Sequence, residues 1–257
     1  MYDHTKLVPE MVFQKLLTLL PTMKQKQFGR KRVQKDALLC GILQVLVNGV
    51  SWCKMAWCGC SYVSCFRYFQ ELQRRGKLKH IFRILSRQKT NLAIGSIDTT
   101  TVGSFEFERG GGWNGKDRVF GTKISLFADI NGQPGDVIID KGNIHDKDFV
   151  EHHVRNTIGM RKKKLNLDMH YMSAVLRREL RKKGIWVNMK VRDQDYHRKR
   201  GPKFRFDKTI YALRFLIERL NGWIKSFKRI RFRRDYHLAG FKAFVYLALI
   251  IILVRRN

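Results

Sequence analysis

Leu92–Val102 reads LAIGSIDTTTV, and the texture of the chain changes there. β-branched residues crowd the stretch, and one acid, Asp98, stands in its middle. Two segments of the same kind follow, Lys123–Ile130 (KISLFADI) and Asp136–Asp140 (DVIID), separated by glycine-rich turns. Beyond them the pattern alternates. Residues 146–158 have helical spacing, 164–167 form a short apolar strand, 173–183 a basic helix and 184–191 another strand, before a long amphipathic helix. Three meandering strands followed by alternation imply an α/β fold with a mixed sheet flanked by helices, not an all-parallel one.

Upstream, residues 8–20, 36–49 and 61–86 carry apolar residues at helical spacing, as in Met11, Leu16, Leu17 and Leu20 or Leu38, Ile42 and Leu46. The joint between the first two, Gln25–Lys35 (QKQFGRKRVQK), holds Arg30, Lys31 and Arg32. We therefore expect a small all-α, helix-turn-helix-like domain over residues 1–88, its basic joint suited to a DNA backbone. A second domain is expected over residues 92–257.

The charge balance narrows the function. Lys and Arg number 52 against 21 Asp and Glu, a formal +31. Such a surplus points to a polyanion, with nucleic acid first and no small-molecule substrate expected. Residues 1–95 carry 17 basic and 4 acidic groups, residues 96–160 carry 7 and 10, and residues 161–257 carry 28 and 7. The acidic island in the middle implies work other than phosphate contact. A membrane partner is not expected: the longest clean apolar run, Ala243–Val254 (AFVYLALIIILV), falls short of the roughly 20 residues that span a bilayer. It reads as a buried helix or strand. The opening MYDHTKLVPE has no basic-then-apolar leader, so a cytoplasmic, nucleoid-associated location is expected.

All five cysteines fall between Cys40 and Cys65, an odd number that argues against a disulfide scaffold. Cys53, Cys58, Cys60 and Cys65 make a nominal zinc set, but they lack the usual CxxC pairs, and a core role is expected of them.

Three acids stand out from the basic background. Asp98 lies in a strand, where a carboxylate is costly unless paired or metal-bound. Asp168 ends the strand at 164–167, a position that either faces a ligand crevice or caps the next turn. Glu218 is the lone acid between Lys208 and Arg234, among nine basic residues. At about 100° per residue, Tyr211, Arg214, Glu218 and Lys225 share a stripe about 60° wide, opposite Leu213, Leu216, Ile217, Leu220, Ile224 and Phe227. An ordinary i,i+4 pair explains Arg214 and Glu218 but not the longer stripe. Three carboxylates meeting in one crevice need cations to stay ionised together. Oxygen-only ligands select Mg²⁺ or Mn²⁺, and two such ions suit the in-line displacement of a phosphodiester.

Tyr211-x2-Arg214-x3-Glu218-x6-Lys225 resembles the Y-R-E-K signature of DDE transposases of bacterial insertion sequences, in the groups conventionally numbered four and five, closer to five. The resemblance extends through Ser96-Ile97-Asp98-Thr99-Thr100, Gly121-Thr122-Lys123-Ile124 and Gly142-Asn143-Ile144-His145-Asp146, and through the Asn48-Gly49-Val50-Ser51-Trp52 stretch near the start. After the second acid the chain departs from the family's Asp-Lys-Gly-Tyr-Asp, reading Asp168-Met169-His170-Tyr171-Met172. The resemblance implies an RNase H-like catalytic domain with Asp98, Asp168 and Glu218 as catalytic metal ligands for two ions. It also implies that Arg214 and Lys225, supported by Tyr211, contact phosphates of double-stranded DNA, in a homodimeric complex pairing element ends with a target. Two alternatives stay open: an RNase H-like endonuclease without strand transfer, and a decayed transposase that only binds DNA.

Overall fold

The computed structural model describes residues 3–22, 31–91, 93–105, 109–157, 164–171, 173–190 and 205–255. Four helices come first: α1 (Glu10–Leu19), α2 (Lys35–Asn48), α3 (Tyr62–Arg74) and α4 (Lys77–Lys89). Strands β1 (Ile94–Gly103), β2 (Gly112–Asn114), β3 (Val119–Asp129) and β4 (Pro134–Lys141) precede α5 (Asp146–Asn156). Then come β5 (Lys164–Leu167), α6 (Ala174–Lys182), β6 (Trp186–Met189), α7 (Lys208–Ala212), α8 (Phe215–Ser226), α9 (Lys228–Arg231) and α10 (Leu238–Arg255).

These elements form two compact units. The sheet unit comprises Ser86–Val102 and Gly111–Gly222, and the helical unit Met1–Leu85, Gly103–Gly110 and Trp223–Asn257. The division differs from the expected boundary near residue 90, because everything after Gly222 joins the N-terminal helices. The physical reason is α10, whose side chains from Phe241 to Val254 are almost all buried, on every face. A helix apolar all round has to be enclosed. Its length and composition would also suit a membrane crossing, but here α1 and α3 pack against it. Phe244 stacks on Phe69 of α3 at 4.2 Å between ring centroids. Ser104 and Arg109 are drawn in by backbone bridges to Arg233 and His237.

Local chemistry accounts for the helix ends. Gly49 closes α2 with φ +68°, a left-handed conformation that glycine adopts without a Cβ clash. Ser61 caps α3 by accepting from the Ser64 N–H at 3.3 Å. The helix expected over 61–86 is broken in two at Arg75 and Gly76, where Gly76 also has positive φ.

In the sheet unit β1 lies between β3 and β5, and β6 follows β5. β1, β5 and β6 run parallel, with Ser96, Asn166 and Asn188 in one cross-strand row. β3 and β4 form an antiparallel hairpin, with Ile124 opposite Ile139. The short β2, not anticipated from the sequence, pairs antiparallel with β3. The mixed α/β expectation stands on this topology. One sheet face packs Ile97, Leu165 and Leu167 with Val150 of α5 and with Leu176 and Leu180 of α6. By strand alternation, Ser96, Asp98, Asn166 and Asp168 take the other face.

Candidate functional site

The polar sheet face is built on asparagine. Asn166 and Asn188 are fully buried, and the Asn188 amide donates to Asn166 Oδ1 at 3.0 Å. Asn166 Nδ2 donates to the carbonyl of Ile210 at 2.8 Å. Asn188 brackets Asp207, donating to its carbonyl at 2.9 Å and accepting from its N–H at 3.0 Å. Asp207 in turn caps α7 by accepting from the Ile210 N–H. These bonds tie β6 and the strand that leads into Asp168 to the segment that leads into Tyr211, Arg214 and Glu218.

The three acids meet at one guanidinium. Arg214 Nη2 lies 3.9 Å from Asp98 Oδ1, 3.8 Å from Asp168 Oδ2 and 3.7 Å from Glu218 Oε1. Arg214 is only 7% exposed, whereas the Glu218 side chain is 61% exposed. The single helical stripe expected for Tyr211, Arg214, Glu218 and Lys225 is interrupted. A uniform 100° per residue presumes one helix, but the chain turns at Leu213 and Arg214 between α7 and α8. The turn swings Arg214 inward beneath the carboxylates. The Tyr211 ring backs the guanidinium at 5.6 Å. Among the described residues, Arg214 Nη1 is buried without a hydrogen-bond partner.

Asn221, one turn beyond Glu218, completes the site and was not singled out in the sequence. Its amide donates to Asp98 Oδ2 at 2.7 Å. Burial pushes the Asp98 carboxyl above its ordinary range. Arg214, the Thr99 backbone N–H and Asn221 pull it back down, and Asp168 adds repulsion. The sequence signal for Asn221 was its i+3 spacing from Glu218, which places both on one helix face.

A second buried feature was also missed. The Tyr171 hydroxyl donates to Thr99 Oγ1 at 2.8 Å, and Thr99 donates to Ser125 Oγ at 3.0 Å. Ser125 meets His153 Nε2 at 3.0 Å, and His153 Nδ1 meets Asp136 Oδ2 at 2.9 Å. The network assigns the Nδ1–H tautomer, so every donor in the chain points toward the Asp136 carboxylate. It ties the residue after Asp98 to the turn that follows Asp168.

The other expected DNA-contact residues lie apart from this cluster in the chain. Lys225 is in the last turn of α8, and Lys31 and Arg32 are exposed in the helical unit. Arg30 lies outside the described residues.

The donor set suits a hard divalent cation. All three acids offer oxygen, and each already faces one positive group, Arg214, that offsets their repulsion. Residues 89–254 match the family model described as the transposase DDE domain. The chain belongs to the transposase DDE domain family. Asp98, Asp168 and Glu218 all fall inside the matched residues of this transposase domain. Among solved structures, one described as a cryo-EM structure of the piggyBac transposase synaptic complex with hairpin DNA is similar at TM-score 0.39 and 12% identity. The similarity covers 79% of this chain and 53% of that one, so this chain spans about half that chain's length. No curated protein matches the sequence. Transposase DDE domains in general work with divalent metals.

Proposed function

We propose that this chain is a DNA transposase that binds the ends of its element, hydrolyses phosphodiester bonds there and transfers the 3′-OH to target DNA. The observation that carries this reading is the convergence of Asp98, Asp168 and Glu218 on Arg214 within the matched domain. The sheet order, with parallel β1, β5 and β6 beside an antiparallel hairpin, supports an RNase H-like catalytic domain. The three acids would hold two divalent ions, Mg²⁺ or Mn²⁺. Such ions, when bound, activate an attacking oxygen and stabilise a leaving one.

The chain's own residues supply the rest. Asn221 orients the Asp98 carboxylate and leaves Oδ1 turned toward the shared centre. Arg214 supplies a charged guanidinium for a phosphate oxygen at the site, and the Tyr211 ring holds that guanidinium in place. Lys225, two turns past Glu218 on α8, meets backbone phosphate. The exposed Lys31 and Arg32, with Arg30, contribute to end binding by the helical unit. The partner is double-stranded DNA, engaged by a homodimer in the cytoplasm.

The test incubates purified protein with a duplex carrying the terminal repeat that flanks its gene, in Mg²⁺. Cleavage and joined products are expected, with both lost in Asp98→Asn, Asp168→Asn and Glu218→Gln while end binding persists. Cleavage without joining would leave a nuclease. Binding with neither would leave a DNA-binding protein.

A further inference from the structure

Four of the five cysteines converge in the helical unit from three separate segments. Cys40 lies in α2, Cys58 and Cys60 in the loop before α3, and Cys65 in the first turn of α3. All four are buried. The Sγ atoms of Cys58 and Cys60 are 3.9 Å apart, and those of Cys60 and Cys65 3.3 Å. The three thiols lie mutually within 4.8 Å, and Cys40 on α2 lies beside Cys58, outside that mutual set. Cys53, counted in the nominal set from sequence, is instead exposed beside Ser51. Cys40 is the remaining buried thiol near the group.

We propose that Cys40, Cys58, Cys60 and Cys65 bind one zinc ion as a closed, tetrahedral structural site. A zinc with Zn–S bonds of about 2.3 Å places its sulfurs about 3.8 Å apart, the spacing that the Cys58–Cys60 and Cys60–Cys65 distances bracket. A multi-iron cluster needs wider thiolates, because its inorganic core sits between them.

The surroundings are arranged for the cluster. A Cβ at Gly41 would collide with Cys65 Sγ and lie 3.3 Å from Cys58 Sγ, so glycine there keeps the space open. The loop itself is clamped by Gln44, which is 2% exposed. Its amide donates to the Ala56 carbonyl at 3.1 Å, and its carbonyl accepts from the Ala56 N–H at 2.8 Å. The loop thus brings Cys58 and Cys60 to α2 in a fixed geometry. All four positions are protein thiols, so the site would be structural, binding α2 to α3, and independent of the acids in the sheet unit.

Metal analysis of the purified full-length protein tests this. About one zinc per chain is expected, retained in Cys53→Ser and lost in Cys60→Ser and in Cys58→Ser. Should those variants fail to fold, wild-type protein refolded with Co²⁺ in place of zinc is expected to show intense thiolate-to-cobalt absorption at one equivalent. Substoichiometric zinc with four rapidly titrating thiols, a disulfide between Cys60 and Cys65, or iron at one per chain would each overturn the assignment. A full zinc complement that survives Cys60→Ser would overturn it as well.

Discussion

The Asn221 side-chain amide donates to Oδ2 of Asp98 at 2.7 Å, linking α8 to the central strand one turn past Glu218. The bond fixes which Asp98 oxygen faces Arg214. Partners that orient ligating carboxylates commonly contribute 10–100-fold to metal affinity or activity. Asn221→Ala is therefore expected to lower cleavage by about that factor at limiting Mg²⁺ and to recover partly when Mg²⁺ is raised. A loss of the same size at every Mg²⁺ concentration would count against the orienting role.

Asp98 links the site to stability. Its carboxyl titrates above the ordinary carboxylate range, chiefly because it is buried. The folded state therefore holds that proton more tightly than the unfolded state. Stability from this group falls as pH rises through the window that begins at the unfolded value, and is fully retained below it. Asp98→Asn removes the penalty, and is expected to abolish cleavage as well. Thermal melts in chelator are expected to give a higher Tm for Asp98→Asn at pH 7, with the gap closing toward pH 4. Equal Tm values at pH 7 would show that the charge is not held at a cost.

Arg214 is the counter-charge to three acids, so removing it leaves them facing one another. Because their exposure ranges from 24% for Asp98 to 61% for Glu218, the loss is expected below the full buried-pair value. We expect Arg214→Ala to cost about 2–3 kcal/mol in chelator and distinctly less in Mn²⁺. Arg214→Lys restores the charge but not the planar fork, so it should recover stability better than activity. Chemical denaturation with and without Mn²⁺ checks both, and a metal-independent loss in Arg214→Ala would contradict the charge argument.

Lys225 is expected to touch phosphate and not base. Lys225→Ala should weaken binding to all duplexes alike and lower the salt dependence by about one phosphate contact. An unchanged slope in a salt titration of binding would remove Lys225 from the interface.

Tyr171 sends its only hydroxyl proton to Thr99. Tyr171→Phe keeps the packing and deletes one buried bond, which should cost about 1 kcal/mol in equilibrium unfolding. A neutral result would mean that the chain from Tyr171 to Asp136 does not bear on the stability of the sheet unit.

The strands and acids were legible because their signals are local. Lys164–Leu167 is short, apolar and followed by an acid, and Glu218 is a single acid in basic surroundings. Arg214 was legible as a member of the group but not as its centre, since helical angles cannot reveal a turn that interrupts the helix. Asn166 and Asn188 read as polar intrusions in short strands until their register is known, because a cross-strand pair is a property of two segments. The placement of α10 was hidden for another reason. A helix apolar on every side has no polar face to show which neighbours enclose it.

The placement of α10 bears on how the protein is made. Translation delivers α1 to α4 first and α10 only after the whole sheet unit, an interval on the order of ten seconds at ordinary elongation rates. During that time Phe69 lacks the ring of Phe244 that covers it in the finished fold. The newly made N-terminal helices thus wait on the ribosome with apolar surface uncovered. A message truncated anywhere before Leu238 would yield a chain whose first helices never find their lid, a substrate for chaperones and proteases.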